Sequence, residues 1–243
     1  MKSLIFKSLL IFLLIVSLLN CDDEKEKYIE ENNTAHNDSI EIVDDGTVTS
    51  SDGDEALPAE EGPVNSVFGV PTINLATYQL EITGLVESPY TMTLAEIQSS
   101  HAVTTDIMFM YCVEGWEVWG KWKGILVREL LNKAQIQQEG EYVLFSCADG
   151  YSTALPISYL KKYDAMLAYR VNLLPLKEDN GYPLRLIAFG KYGYKWAKWV
   201  TKMEVIDQSQ LGYWETQGYS DEANVPIYRR RLYEGDDAEP LEY

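Results

Sequence analysis

Residues 180–205 of the 243-residue chain, NGYPLRLIAFGKYGYKWAKWVTKMEV, carry the pattern that decides the fold. Two apolar runs, Pro183–Phe189 and Trp199–Ile206, are predicted to be strands because they combine β-branched and aromatic residues. From Pro183 to Trp199 there are four cations and no acid: Arg185, Lys191, Lys195 and Lys198. The residues alone leave two interpretations open. Either the cations hold a phosphate or another anion, or the lysines lie in solvent around a hairpin.

Upstream of this stretch, predicted strands alternate with short predicted helices. Thr93 followed by Glu96 is a capping-box pattern, which starts a helix that we expect to end at Gln98. We see no βαβ repeat, so the pattern predicts an α+β domain with a mixed β-sheet and short helices. Further strands are predicted at Tyr78–Gly84, Asp106–Val113 and Tyr142–Ala148, and further helices at Gly124–Ala134 and Pro156–Lys162.

A second informative stretch, YCVEGWEVWGKW, covers residues 111–122 and places Cys112 at the end of an apolar strand. On that strand Met108, Met110 and Cys112 share one face. In an exported protein Cys112 and Cys147 could form a disulfide, and a reactive thiol is the alternative. The chain has two histidines and no Cys-x-x-Cys or His-Glu-x-x-His motif, which argues against a zinc site and a serine triad.

The N-terminal region predicts export and attachment to a membrane. Residues 1–20 have the basic start and apolar run of a signal peptide, and the run ends in LLNC, so that Cys21 resembles the acylated cysteine of a bacterial lipobox. An ordinary signal peptide, or a signal anchor with an incidental Cys21, is the alternative. Residues 21–65 contain 15 Asp and Glu against two lysines, and we predict that they form a disordered acidic tether.

Residues 66–225 therefore form the predicted folded domain, followed by a C-terminal tail at 226–243. The whole chain has a formal net charge of −18. Such an acidic protein is a poor binder of nucleic acid, because the phosphate backbone demands positive charge.

Four motifs in the folded region resemble the molybdopterin-binding domain of the sulfite oxidase family. They are CVEGW with the following WKGILVRELL, the 180–205 stretch, GYWETQGYS, and the opening YQLEITGLVESPYTMTLAEI. In style the chain is similar to the single-domain periplasmic type that includes a methionine sulfoxide reductase catalytic subunit. The resemblance implies the sulfite-oxidase-like fold, a molybdenum–molybdopterin cofactor and oxygen-atom transfer to or from a small sulfur-containing substrate.

The resemblance also implies roles for individual residues. Cys112 matches the cysteine whose thiolate binds molybdenum, which suits a soft metal ligand. Asn180 and Arg185 match residues that contact the pterin, with Arg185 on the phosphate side. A short segment that wraps the cofactor is matched by Trp196, Ala197 and Lys198, and Cys147 falls where a relative has a cofactor-contacting threonine.

Two departures from the family pattern concern substrate and loading. Met108 and Met110 lie where family members carry an arginine or histidine, and a soft apolar wall favours a thioether or sulfoxide over sulfite. Both methionines are alternatively core residues. The signal peptide lacks the twin arginine used to export folded, metal-loaded proteins. An exported binding or structural lipoprotein that keeps the fold without metal, with Cys112 and Cys147 paired, therefore remains the alternative.

Partners and location follow from these expectations. We expect a monomer held by its lipid anchor at the cell envelope, on the periplasmic side of the inner membrane or on the outer membrane. The substrate is a small or protein-bound sulfur compound, sulfoxide- or sulfite-like. Because the sequence has no haem motif, electrons must pass through a separate haem- or quinone-linked protein.

Overall fold

The computed structural model describes residues 40–42, 48–50 and 57–226. The predictions for residues 1–20, Cys21 and the tail after residue 226 lie outside the described residues. The helices are α1 (Leu94–Gln98), α2 (Val127–Ala134), α3 (Ile157–Lys162) and α4 (Tyr213–Thr216), with 3₁₀ turns at Glu178–Asn180 and Gly193–Lys195. The strands are β1 (Ile40–Ile42), β2 (Val48–Ser50), β3 (Leu57–Pro58), β4 (Gln79–Gly84), β5 (Tyr90–Thr93), β6 (Val103–Tyr111), β7 (Glu117–Leu126), β8 (Tyr142–Cys147), β9 (Ser152–Pro156), β10 (Met166–Val171), β11 (Leu174–Pro175), β12 (Arg185–Ile187) and β13 (Val200–Ile206).

One sheet is built around the long antiparallel hairpin of β6 and β7. The hairpin register runs from Val103 opposite Ile125 to Tyr111 opposite Glu117. On the other side of β7, β10 pairs antiparallel and itself carries β11 and β12. Because β6 ends at Tyr111, Cys112 lies in the hairpin turn, one residue beyond the strand that was predicted to contain it.

The second sheet has the strand order β5-β4-β13-β8-β9. β4 and β13 pair in parallel, whereas the other neighbours pair antiparallel, so this sheet is mixed. Side chains from both sheets share one hydrophobic core, which includes the fully buried Leu80, Phe145 and Met203. The core fixes the strand ends that carry the site residues. Strands β1 and β2 form a separate two-stranded sheet.

The short helices largely match the sequence pattern. The Thr93 side chain accepts a hydrogen bond from the backbone of Glu96, and the Glu96 carboxylate accepts one from the Thr93 backbone, which confirms the predicted capping box. Pro156 is the residue before α3 rather than part of its first turn. Strand β12 covers three residues at the centre of the predicted Pro183–Phe189 strand.

The predicted helix at Gly124–Ala134 begins too early. Gly124 and the two residues after it still belong to β7, which pairs with β10, and α2 starts at Val127. A Cβ at position 124 would lie 2.2 Å from the carbonyl oxygen of Leu167. The close approach of β10 therefore requires glycine within the strand, where the sequence pattern alone indicated a helix start.

The folded domain also begins earlier than predicted. Strand β3 pairs in parallel with β7, and Ala59 is buried. The Glu60 carboxylate accepts a hydrogen bond of 2.8 Å from the Asn172 amide. Residues 57–60, assigned from composition to the tether, thus pack against the domain through strand pairing, the buried Ala59 and a hydrogen bond.

Among the described residues, no helix is long and apolar enough to cross a membrane.

Candidate active site

A cavity of about 520 Å³ collects the predicted site residues. It lies where the β6–β7 turn, strand β12 and the segment after the second 3₁₀ turn meet. Six of the seven domain residues singled out from the sequence line it: Cys112, Asn180, Arg185, Trp196, Ala197 and Lys198. They come from three separate parts of the chain, so only the fold brings them together.

Cys112 is held at the cavity by a tight turn. Its backbone N–H donates to the Trp116 carbonyl at 2.9 Å, and its carbonyl accepts from Gly115 at 3.1 Å. Gly115 has φ +97°, a conformation that favours glycine. The thiol is nearly buried, and burial raises the pKa of Cys112 above its ordinary value. A bound cation such as a metal would reverse this effect and favour the thiolate.

Arg185 is a buried cation whose Nε has no hydrogen-bond partner among the described residues. Its Nη1 donates to the backbone and side-chain oxygens of Asn180, and Nη2 contacts the Met110 sulfur at 2.9 Å. Three buried side-chain polar atoms have no partner among the described residues, and Nε of Arg185 is the donor among them. Burial lowers the pKa of Arg185 to about 10, so the guanidinium remains charged at neutral pH. An uncompensated buried charge with a free N–H is suited to an anionic ligand.

Lys198 adds a second charge beside Arg185. Its Nζ donates to the Asp179 carbonyl at 3.1 Å and lies 4.4 Å from the centre of the Trp199 ring. Burial, and secondarily the positive charge of Arg185, lower the pKa of Lys198 to about 7. No carboxylate forms an ion pair with either cation within the described part of the chain. Two cations without such a partner are suited to bind an anion.

The other two cations of the run are used for structure. Lys195 is completely buried and pairs with Glu215 at 2.5 Å and with Asp221 at 3.0 Å. Lys191 donates to the Glu222 carbonyl and to the Asn224 side chain. The prediction that all four cations could hold one anion is therefore wrong for these two, because carboxylate and carbonyl oxygens already satisfy them. The solvent-exposed alternative is wrong as well for the buried Lys195.

Trp196 and Ala197 form part of the cavity wall. The Trp196 indole donates to the Lys191 carbonyl at 3.1 Å, and the Ala197 carbonyl accepts from Leu186 at 2.8 Å. Cys147 ends strand β8 and does not line the cavity, and burial raises its pKa strongly. Both Cys112 and Cys147 are free thiols, so the disulfide considered from the sequence does not form.

The two methionines of β6 have different surroundings. Both are buried in the core, but only Met110 also lines the cavity, where its sulfur contacts Arg185. Met108 is core filler, and its backbone carbonyl accepts the indole hydrogen bond of Trp122. Of the two methionines expected to line the substrate site, only Met110 therefore does so.

Several cavity residues were missed by sequence reasoning. Glu114 follows Cys112 by two residues, and its carboxylate accepts from the Trp116 indole at 2.8 Å and from the Asn65 amide at 3.3 Å. Residues 62–67 also line the cavity. Five further lining residues, called the aromatic rim, are Tyr151, Tyr194, Tyr213, Trp214 and Tyr219. The motif CVEGW already placed a carboxylate next to the thiol, whereas the rim had no local signal.

Comparison with known proteins gives consistent matches. The family described as "Oxidoreductase molybdopterin binding domain" matches residues 67–214. The chain is 30% identical over 169 residues to the putative protein-methionine-sulfoxide reductase subunit YedZ1 of Azospira oryzae, covering 68% of this chain and 64% of that protein. It is 30% identical over 190 residues to the mitochondrial sulfite oxidase of Drosophila melanogaster, covering 67% of this chain and 33% of that protein.

A solved structure also matches. The sulfane dehydrogenase SoxCD from Paracoccus pantotrophus superposes with a TM-score of 0.55 at 25% identity, covering 58% of this chain and 41% of that one. The chain therefore spans less than two thirds of each of these three proteins.

Proposed function

Because the chain belongs to the family of molybdopterin-binding oxidoreductase domains, we propose that it catalyses oxygen-atom transfer to or from a small sulfur-containing substrate, sulfoxide- or sulfite-like. The family match and the neighbouring structure confirm the α+β, sulfite-oxidase-like fold and the molybdenum cofactor expected from the sequence. The substrate and the direction of the reaction are our inference from the relatives, one a putative methionine sulfoxide reductase subunit and another a sulfite oxidase.

One observation carries this proposal: a single cavity holds both a soft metal ligand and an anion site. Cys112 supplies the thiol, while Arg185 and Lys198 supply two basic groups that form no ion pair with a described carboxylate. Molybdopterin presents a metal held by sulfur and a phosphate. The unpartnered Nε of Arg185 is the donor that a phosphate oxygen would satisfy. The residues present therefore fit the cofactor.

Each of these residues has a distinct role in the proposed site. Cys112 would bind the metal through Sγ, and the cofactor when bound supplies two-electron oxygen-atom chemistry. Arg185 and Lys198 would hold the phosphate, Arg185 through a planar fork and Lys198 as a point charge. Asn180 positions Arg185 and also donates to the Ala59 carbonyl at 3.1 Å, which joins the N-terminal segment to the site. Trp196 and Ala197 exclude water from the wall.

We further propose that the protein works outside the cytoplasm, tethered through an acylated Cys21. The apolar run before Cys21 and the acidic segment after it support this proposal. A tethered domain without a haem motif needs a separate electron-transfer protein. The name of the Azospira oryzae relative describes a subunit, which is consistent with such a partner.

The alternative of a metal-free binding lipoprotein is less well supported. It rested on the missing twin arginine and was combined with a Cys112–Cys147 disulfide, but both of these residues are free thiols. It also leaves the buried Nε of Arg185 without a function.

The decisive measurement is molybdenum content by elemental mass spectrometry, on protein purified from its own host. We expect about one molybdenum per chain and turnover of a sulfoxide or of sulfite with an artificial electron carrier. Protein that is folded, mature and free of molybdenum would refute the proposal and favour the metal-free lipoprotein.

A further inference from the structure

Glu114 places a fixed negative charge beside the proposed metal ligand. Its Oε2 lies 3.7 Å from the Cys112 sulfur and accepts hydrogen bonds from the Trp116 indole and the Asn65 amide. A glutamate carboxyl is ordinarily ionised at neutral pH. Two donors from different parts of the chain hold the carboxylate in place despite its exposure to solvent.

Charges of both signs line the cavity. They are two acids, Glu114 and Asp149, and two cations, Arg185 and Lys198. Of these four side chains, the one in contact with the Cys112 thiol is the carboxylate of Glu114, at 3.7 Å.

The region around Cys112 therefore has the surroundings of a site for neutral or positive ligands. The Trp116 indole donates to the carboxylate, and Trp214 and Tyr219, whose ring centroids lie 5.2 Å apart, also line the cavity. Aromatic faces and a carboxylate attract cations and tolerate neutral methyl groups, while they disfavour anions. The nearby cations cannot compensate, because the phosphate of the cofactor occupies them in the proposed complex.

We propose that Glu114 determines specificity by excluding anions, so that the substrate is a neutral or positively charged oxide rather than sulfite or a carboxylated sulfoxide. This inference rests on the proposed function for the identity of the reaction. The reduction consumes two electrons and two protons, which convert the sulfoxide to a thioether and water. The electrons come from an external one-electron donor.

The first test compares three substrates that share a methylsulfinyl group and differ in charge. They are dimethyl sulfoxide, methylsulfinylacetate and 2-(methylsulfinyl)ethylammonium, each reduced by the holoenzyme with a reduced viologen dye. The variants are Glu114→Gln and, as the matched control, Glu87→Gln, which removes the same charge from an exposed site away from the cavity. If a substitution changes electron delivery by the dye, it does so for all three substrates, and the effect cancels in the ratio of their kcat/KM values.

We expect Glu114→Gln to raise kcat/KM for the anion relative to the neutral sulfoxide by roughly three- to tenfold at low ionic strength. The ratio for the ammonium substrate should fall, both changes should shrink in about 0.5 M salt, and Glu87→Gln should leave all ratios unchanged. Ratios that are the same in wild type and Glu114→Gln, or that change equally in Glu87→Gln, would overturn the proposal.

A second test needs no turnover. The cofactor-free full-length chain is alkylated with neutral iodoacetamide and with anionic iodoacetate, in which the thiolate displaces iodide, and modification of Cys112 is followed by peptide mass spectrometry. Glu114→Gln should raise the iodoacetate-to-iodoacetamide rate ratio, since a change in thiol pKa affects both reagents equally. An unchanged ratio contradicts charge exclusion. A raised ratio in a protein that contains no molybdenum and turns over neither the sulfoxides nor sulfite would refute the proposed function and leave the exclusion of anions intact.

Discussion

Arg185 combines burial, a full charge and an unpartnered N–H among the described residues, an arrangement that is costly unless a ligand is bound. We predict that Arg185→Ala and Lys198→Ala each lower molybdenum–molybdopterin occupancy, with the larger effect at Arg185. A charge-assisted hydrogen bond to phosphate contributes about 1.5–3 kcal/mol, or roughly ten- to hundredfold in affinity. Occupancy is measured as molybdenum and released pterin per folded chain.

Lys161→Ala and Lys162→Ala are the matched controls, because both lysines lie on α3 and outside the cavity lining. Equal occupancy in all four variants would contradict the anion site.

The lowered pKa of Lys198 predicts a pH dependence of stability. The folded pKa is about 7 and the ordinary value 10.5, so above pH 7 the unfolded chain binds more protons than the folded one. The free energy of unfolding of the cofactor-free protein should therefore rise with pH above pH 7. Lys198 should contribute about 1 kcal/mol of this rise between pH 7 and 8. Denaturant unfolding of wild type and Lys198→Met at both pH values isolates the effect. A wild-type curve parallel to that of the variant would refute it.

Cys112 provides the sharpest test of a single atom. Cys112→Ser exchanges a soft thiolate for a harder and less acidic hydroxyl, and we expect it to lower oxygen-transfer activity by roughly a hundredfold or more. The circular dichroism spectrum and unfolding midpoint should change little. Cys147→Ser alters a buried thiol that does not line the cavity, so it should keep most of the activity. A fully active Cys112→Ser protein would exclude Cys112 as the metal ligand.

At the scale of elements, the β6–β7 hairpin shows what a sequence pattern can predict. Strand β6 alternates and was predicted, with its buried methionine face. Strand β7 was missed because Val118, Trp119 and Gly120 are all buried in succession, which removes the period of two. β7 pairs with β6 on one side and with β10 on the other, and neither pairing leaves a pattern in the sequence of β7.

The buried ion pair between Lys195 and Glu215 connects the second 3₁₀ turn to helix α4. Lys195→Met leaves the Glu215 carboxylate buried without its cation and should destabilise the fold by about 3–5 kcal/mol. Glu215→Gln should cost less, because Asp221 still pairs with Lys195. Combining the two substitutions should cost less than the sum, because the buried carboxylate that Lys195→Met leaves unpaired is then absent. Urea unfolding of the four proteins gives the coupling energy.

The half-exposed pair of Lys202 and Glu204 is the control for this cycle and should show less than about 1 kcal/mol of coupling. If the two changes in the free energy of unfolding add exactly, the pairing of Lys195 with Glu215 contributes nothing to stability.

For the whole molecule, the sequence was most informative where chemistry depends on short motifs. Cys112, Asn180, Arg185 and Lys198 were identified from local stretches and share one cavity. The roles of Lys191 and Lys195 were not predictable, because their partners lie 20 to 33 residues away in a segment without periodicity. The Asn65–Glu114 contact spans 49 residues and likewise had no sequence signal.

The predicted tether is tested by cell fractionation. Cys21→Ser removes the acylation site, so the domain should be released in soluble form or kept as an uncleaved, anchored precursor. Mature wild-type protein should carry acyl chains on Cys21 and remain with membranes. Soluble, unacylated wild-type protein that begins after a different cleavage site would refute the lipoprotein assignment and leave the molybdenum proposal standing.

The position of Glu215 also limits how far the C-terminus can be shortened in an expressed fragment. The family match ends at residue 214, one residue before the partner of Lys195. A truncation designed on that boundary would delete both carboxylates that neutralise Lys195 and the Asn224 side chain that binds Lys191. The product would keep every proposed cofactor ligand yet bury a bare ammonium, and it should accumulate as inclusion bodies. Expression designs should therefore extend at least to residue 226.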